Sequence, residues 1–482
     1  MKALHPESAS QTLAWMEVPA PGTEETPVEP TLSRAWGRQI LSYTNRVYHL
    51  GKLMAEKIKD TRVEPDIPLS VINSALFLTG LFRVPSFNAL EPLLEEDWFA
   101  HAVGAKCPAP EERLFSAETG GRALVMMGPD GVRPVFEEVI HKAERNKVFR
   151  EGWIASLRYV AIDGWEPIRS YSRHCDHCLT REVTVGEGDK KHKATQYYHR
   201  LVVALLLGPH EELVLGYEPI RNADQRRAEG DDDAAHHEGE LTAAKRLVRR
   251  LRETYGRWID VIVADGLYAN GPFLTLLKEL HLGGVLVAKK EGDEPLKEAL
   301  NLWAGKPPDQ VVEDDEANER IELWDCKGLE TLDSYKGPIR VTRAVIRPLE
   351  DEEEEAAEPS EWCFISVGVA ADRLSPRQLL KVIRSRWHLE NTGFNQWTQY
   401  WSFEHVFVND WRGMEALFYF LFTAFNILQL FVYRQLKGYA RLKGDDPTKT
   451  IISLVGKICR DLVRNLHAPL EWQPEQEVAE AA

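Results

Sequence analysis

Two apolar runs of the sequence each close on an aspartate: LeuArgTyrValAlaIle at 157–162 precedes Asp163, and TrpIleAspValIleValAla at 258–264 precedes Asp265. A third acid, Glu390, ends the stretch ArgTrpHisLeuGlu at 386–390. Runs of this length and composition read as buried strands. If the strand ends lie side by side and a helix adds the third acid, carboxylate oxygens converge. Hard divalent cations prefer such ligands, and two of them about 3.5 to 4 Å apart can activate water and stabilise charge on both oxygens of a phosphodiester displacement. Asp163, Asp265 and Glu390 are therefore the expected catalytic and metal-binding set. One Asp at a strand end is commonplace, because Asp favours turns; three acids on separate elements are the signal.

The order of elements fits this arrangement. Residues 1–31 are rich in Pro, Glu, Ser and Thr without periodicity and are expected to form a flexible tail. Over 32–152 the pattern is helical, with segments near 32–60, 69–84, 86–104 and 134–150 punctuated by prolines, which predicts an all-α N-terminal domain. Strands are then expected to 162, over 200–207 and over 212–218, followed by a helix at 241–255 with Ala244, Leu247, Val248 and Leu251 on one face. A strand to 264, a helix opened by AsnGlyPro at 270–272 and a strand over 285–288 come next. Three antiparallel strands followed by alternating helices and strands is the order of a ribonuclease-H-like sheet. The predicted fold class is therefore α/β. A ribonuclease-H-like catalytic core begins at 153–290, is interrupted by a β-rich insertion at 291–371 and closes with helices at 372–435, before basic C-terminal helices and tail at 436–482. Ser375-Pro376 supplies the cap and first turn of a helix expected to run past Glu390.

Residues 416–433 are nearly all apolar, but Thr423, Asn426 and Gln429 interrupt them and the length is short for a span, so a buried core helix is expected. The N-terminus has no apolar signal region, and six Cys, with only Cys175 and Cys178 closely spaced, form no disulfide framework. A cytoplasmic, nucleoid-associated protein without a membrane segment is the expectation.

A net charge of −16 looks unsuited to a polyanionic partner, since phosphate contacts need Lys and Arg. The acids are segregated, however. Runs at 229–233, 313–319 and 350–361 hold 4, 5 and 8 acidic residues with no Lys or Arg, and without those 17 charges the balance is +1. Basic residues gather on helical stretches: Lys245, Arg246, Arg249, Arg250 and Arg252; Arg373, Arg377, Lys381, Arg384 and Arg386; and Lys449, Lys457, Arg460 and Arg464. A solvated helix face is the plainer account of the first and third clusters. In the second, Arg386 and Glu390 are four apart and share a helix face. Arg386 is then placed to orient Glu390 and to meet a phosphate with its planar fork, with Lys381 and Arg384 as further phosphate contacts.

On the motifs AlaIleAspGly (161–164), ValAlaAspGlyLeuTyrAlaAsn (263–270) and ArgSerArgTrpHisLeuGluAsn (384–391), the chain resembles bacterial insertion-sequence transposases of the DDE class, in the group with a β-strand insertion and a Tyr-Arg-Glu-Lys signature. The resemblance spans about 150–435. It implies Asp163, Asp265 and Glu390 as ligands of two Mg²⁺ ions, for which Mn²⁺ can substitute, with Asp163 bridging, and Arg386 as the signature arginine. Two positions depart: Ile383 stands where the family has Tyr, and Trp397, followed by Thr398, stands where it has Lys. That leaves the metal chemistry intact and counts against a hairpin-end mechanism.

A second constellation, HisCysAspHisCys at 174–178, offers half of a zinc site by spacing, with His174, His177, His192 and His199 as completing ligands. Cys175, Cys178 and His199 are the set proposed for a structural Zn²⁺; a free or buried Cys pair is the alternative. HisHisGluGlyGlu at 236–240 lacks a second His at helical spacing and reads as a helix entry, from which Glu240 can approach the acids.

The function expected from these features is cut-and-paste DNA transposition by a Mg²⁺-dependent endonuclease and strand transferase. Its partners are terminal inverted repeats, target DNA and a second copy of the chain, since joining two ends needs at least a dimer. The helical domain, with Arg34, Arg38, Arg46, Lys52, Lys57 and Lys59, is expected to read the ends or to dimerise. The alternatives are a ribonuclease-H-like nuclease without strand transfer and an inactive, transposase-derived DNA-binding protein.

Overall fold

A computed structural model describes residues 36–208, 211–288, 293–315, 317–349 and 359–436. The expected tail at 1–31, Arg34, the side chain of Arg38, most of the acidic run at 350–361 and the basic residues at 449–464 lie outside the described residues, as does the segment 437–482. The chain divides into two units: residues 1–142 together with 396–482, and residues 143–395. The division therefore falls near 142 and 395 rather than at the expected 152 and 435. The helix Trp411–Leu430 groups with the N-terminal helices, not with the segment that carries Glu390.

Packing accounts for that grouping. Helix Leu69–Leu81 buries 12 residues and has no polar face to turn to water, so it needs an apolar cover. Trp411–Leu430 provides one: a Cβ built on Gly80 would meet Ala424 Cβ at 2.9 Å, so only glycine lets the two helices approach this closely. The stretch Trp411–Gln435 is long and apolar enough to cross a membrane, yet its most apolar window is 94% buried, as in a core helix. The long helix Ala117–Arg145 is broken at Gly128 (φ 59°, ψ 176°), followed by Pro129.

In the second unit the described strands form one sheet. They are β1 (Tyr159–Ser170), β2 (Leu179–Val185), β3 (His192–Leu207), β4 (Leu213–Pro219), β5 (Val261–Ala264), β6 (Gly283–Val287), β7 (Gln310–Asp314), β8 (Glu319–Leu329), β9 (Ile339–Pro348) and β10 (Ser360–Val367). Their order is β2-β3-β1-β5-β6-β10-β9-β8-β7, with β4 also paired to β3. β3 is antiparallel to β1, β5 is parallel to β1, and β6 is parallel to β5. The sequence expectation missed β2 and the first half of β3, which pair as a hairpin from Leu179↔Tyr198 to Val185↔His192.

Helix Glu240–Tyr255 covers the β4 side with Ala244, Leu247, Val248 and Leu251 buried, the face expected from the spacing. Its Arg246 and Arg250 both reach the buried Glu218 on β4, and Arg246 also pairs with Glu238. The first basic cluster is thus partly a structural ion-pair network. The β-rich segment extends the same sheet through β10, which is antiparallel to β6. Its acidic run is no idle loop. Asp314 and Glu319, at the β7–β8 turn, pair with Arg377 and Arg384 of helix Pro376–Arg384, and Arg340 is buried against Asp325 and the carbonyls of Ala371 and Leu374.

Candidate active site

Asp163 lies within β1, which runs on to Ser170, rather than at a strand end as expected. The four residues before it, Tyr159 to Ile162, are fully buried and paired to β3 on one side, while Tyr159 to Ala161 pair to β5 on the other. The β1–β5 register is Tyr159↔Val261, Val160↔Ile262 and Ala161↔Val263, so two more steps bring Asp163 level with Asp265, just past the end of β5. The residues after Asp265 are shaped by their own side chains. Asp265 Oδ1 accepts from Leu267 N at 2.8 Å, and Asn270 caps the helix Gly271–Glu279 by accepting from Phe273 N.

Glu390 arrives differently from the expected long helix. Helix Pro376–Arg384, capped by the Ser375–Gln378 box, ends at Ser385, and Glu390 sits on a π-helical turn, Leu389–Phe394. Such turns recur at functional sites. Trp165 on β1 stacks on Phe394 (centroids 5.5 Å, 3° between planes), which ties this turn to the strand that carries Asp163. His388 pairs with Glu212, and that hydrogen bond raises its pKa above the ordinary value.

Arg386 joins the two acids. One nitrogen, Nη1, donates to Asp163 Oδ2 at 2.7 Å and to Glu390 Oε1 at 2.6 Å. Those contacts hold the two oxygens within about 5 Å of each other. Arg386 Nε is buried with no acceptor among the described residues.

A fourth carboxylate borders the cluster. Glu240, at the first turn of its helix, is 8% exposed; Tyr268 Oη donates to its Oε1 at 2.7 Å, and Arg200 Nη2 is 2.5 Å from Oε2. Glu240 was legible as a residue near the acids, whereas Arg200 and the role of Gly164 were not, since nothing in their spacing marks them. A Cβ on Gly164 would fall inside contact distance of the Glu240 carboxylate and the Arg200 guanidinium. Gly164→Ala is expected to displace Glu240, to cost about 1–3 kcal/mol of stability and to lower DNA cleavage. A melting curve and a cleavage assay on the same preparation check this, and an unchanged protein would show that Glu240 has room to move.

Burial pushes the Asp163 carboxyl up to about 6; Arg386 and the Gly164 N–H, which donates to Oδ1, pull it down, and the charges of Asp265 and Glu240 push it up again. Burial and the Glu240 carboxylate likewise raise the Tyr268 hydroxyl. Asp163, Asp265, Glu240 and Glu390 are hard oxygen donors of the kind divalent metals take, which suits a metal-ion centre, although among the described residues the group whose donor atoms lie within 4.8 Å of one another is Cys175, Cys178 and His199 rather than these acids.

The other expected site residues have partners of their own. Arg384 is paired bidentately with Glu319 at 2.8 and 2.7 Å, and Lys381 lies over the Trp153 ring at 5.9 Å. Ile383 is fully buried, and so is Trp397, which packs edge-on to Phe422 and Phe425. Neither departure from the family signature is placed to touch a phosphate. Cys175, Cys178 and His199 meet one another as a separate group.

A large mixed α/β sheet that brings carboxylates from neighbouring strands and a following helix together is consistent with a ribonuclease-H-like domain of the DDE class. The chain belongs to the transposase DDE domain family, whose model matches residues 173–427. Enzymes of this family generally use divalent metals. The match takes in Asp265, Arg386 and Glu390 but begins after Asp163, so the case for Asp163 rests on its register with Asp265 and its bond to Arg386. Among curated proteins none matches the chain.

Proposed function

We propose that the protein is the transposase of an insertion sequence, a Mg²⁺-dependent endonuclease and strand transferase that moves DNA by cutting and pasting. The observation that carries this reading is the bond pair from one Arg386 nitrogen to Asp163 and Glu390, with Asp265 in register beside Asp163. Asp163, Asp265 and Glu390 would hold two Mg²⁺ ions, for which Mn²⁺ could substitute. When bound, the ions lower the pKa of attacking water and stabilise charge on the entering and leaving oxygens.

The protein's own groups do the rest. Asp163, raised to about 6 by burial, is ionised above that pH and would offer a carboxylate to the ions. Arg386 swings from the carboxylates to a phosphate oxygen, for which its unpaired Nε is a ready donor. Tyr268 and Arg200 keep Glu240 fixed beside the centre, so that it contributes field rather than a loose ligand. At the element's end, water attacks phosphorus and the bond to the 3′ oxygen breaks, leaving a 3′-OH. That hydroxyl then attacks a target phosphodiester, and a target 3′ oxygen departs. Arg386 and Lys381 are the proposed phosphate contacts; Arg384 is held by Glu319 and is withdrawn from that role. The N-terminal unit, with Lys52, Lys57 and Lys59, reads the terminal inverted repeats, and a homodimer on DNA brings two ends together in the cytoplasm, at the nucleoid.

Supercoiled DNA carrying the repeats that flank the reading frame tests this. Mg²⁺-dependent nicking at the repeat ends and joining of a pre-cut end to target are expected. One observation favours a second reading, a ribonuclease-H-like nuclease without strand transfer: Ile383 and Trp397 are core residues and leave the cleaved end with fewer contacts. Cleavage without joining would establish that reading instead. Binding without either reaction would leave an inactive, transposase-derived DNA-binding protein.

A further inference from the structure

Beyond the acidic cluster, Cys175, Cys178 and His199 form the one group of metal-binding side chains that gathers all its donor atoms within 4.8 Å among the described residues. The Sγ atoms are 3.7 Å apart, and each is 3.4 Å from His199 Nε2. With Zn–S about 2.3 Å and Zn–N about 2.05 Å, tetrahedral edges are roughly 3.8 Å between sulfurs and roughly 3.5 Å from sulfur to nitrogen. All three separations therefore match one face of a zinc tetrahedron. A disulfide would need the sulfurs at about 2.05 Å.

Hydrogen bonds order the turn that carries the two thiols. Cys178 N donates to Cys175 O at 3.1 Å, closing the turn, and Cys175 N donates to Cys178 Sγ at 3.3 Å. Asn222 pins the same turn from outside, its Nδ2 donating to Asp176 O at 2.7 Å. His199 is 7% exposed on β3, opposite Ile168 of β1.

We propose that Cys175, Cys178 and His199 bind one Zn²⁺ ion that clamps the β1–β2 turn onto β3, with a solvent molecule at the fourth position. The clamp closes the far end of the strand that carries Asp163: β1 residues Ile168 to Ser170 pair with Tyr197 to His199, so turn, strand and ladder are fixed together. With only three protein donors, the ion binds less tightly than in a four-cysteine site and exchanges with strong chelators. Its role is structural, and it stands whether or not the acidic cluster cuts DNA.

The experiment uses the full chain, purified under reducing conditions, and needs no DNA. One Zn²⁺ per chain is expected by elemental analysis. After chelation and reconstitution with Co²⁺, thiolate-to-cobalt charge-transfer and tetrahedral d–d bands are expected. In native protein two more thiols should react with a thiol reagent after chelation than before. Cys175→Ser, Cys178→Ser and His199→Asn should each weaken binding of added Zn²⁺ at least tenfold, whereas Cys107→Ser should not. If a variant fails to fold, the Co²⁺ spectrum and thiol count of the unaltered chain still decide. A metal-free protein that takes up no Zn²⁺, a Co²⁺ spectrum without thiolate bands, or Zn²⁺ binding retained by Cys178→Ser overturns the proposal.

Discussion

Replacing Asp163 with Asn is expected to abolish metal-dependent cleavage while making the metal-free protein more stable. The catalytic loss follows from removing a carboxylate proposed to hold the cations, a loss of about 4 kcal/mol or more, which is about 10³-fold in rate. The gain follows from the cost of holding that carboxylate in place. Asp163 is only 17% exposed, burial raises it to about 6 from an ordinary 3.8, and Asp265 and Glu240 add to the rise. Folding therefore favours its protonated form, and above pH 6 the ionised group opposes folding by about 1–3 kcal/mol. Asn keeps an oxygen for Arg386 but loses the second acceptor used by Gly164 N, which trims the gain. In EDTA at pH 7.5 the variant should melt several degrees higher than the parent. The unfavourable contribution disappears as pH falls from about 6 toward 3.8, where folded and unfolded chains both hold the proton, so the gap should close near pH 4. A variant no more stable than the parent at pH 7.5, or a gap that widens in acid, would mean that Arg386 fully compensates the buried charge. Cleavage retained by the variant would remove Asp163 from the catalytic set.

Which parts of this site the sequence made legible follows from the range of the interactions involved. Asp163 and Asp265 stood out because each follows a continuous apolar run, and a strand buried between two neighbours leaves that trace locally. Their shared register, by contrast, is set by hydrogen bonds between segments a hundred residues apart, and only the order of elements pointed to it. The ion pair from Arg386 to Glu390 was visible as a spacing of four, but the bond from the same nitrogen to Asp163 spans 223 positions and was not. Glu240 was noticed for its place at a helix entry. Its actual neighbours, Gly164, Tyr268 and Arg200, come from three other segments.

The misreadings have local causes. Strand β2 alternates half-buried and exposed residues after the buried Leu179 and carries Thr, Arg and Glu, so its hydrophobic signal is weak; pairing with β3 supplies what the side chains do not. Residues 117–133 look unhelical because of Gly120, Gly121, Gly128 and Pro129, yet the helix persists with a single break at Gly128. Arg384 resembles a phosphate contact in a basic cluster until Glu319, on a strand 65 positions away, is found in front of it. The acidic turn and the basic helix that made the charge distribution look segregated are, in the fold, partners.

Arg386→Ala is expected to bind divalent metal more tightly and to catalyse less well. Its guanidinium lies where a cation would be drawn, one nitrogen shared between Asp163 and Glu390. A fixed positive charge about 5 Å from an incoming divalent ion opposes it, by on the order of 1–2 kcal/mol after allowance for the arginine's freedom to turn away, or roughly tenfold in Kd. Removing the charge relieves that opposition and leaves the two carboxylates facing each other, which raises their demand for a cation further. Catalysis moves the other way, because a charge-assisted bond to phosphate contributes about 1.5–3 kcal/mol, or roughly 10- to 100-fold in kcat/KM. Mn²⁺ titration by calorimetry, beside cleavage rates at saturating metal, separates the two effects. Arg386→Lys should sit between parent and Ala in both, since it keeps the charge but loses the planar fork. If Arg386→Ala instead binds metal more weakly, the guanidinium organises the acids for the ion rather than competing with it. Its bond to Asp163 would then be part of the working site, and the swing to a phosphate would have no driving force.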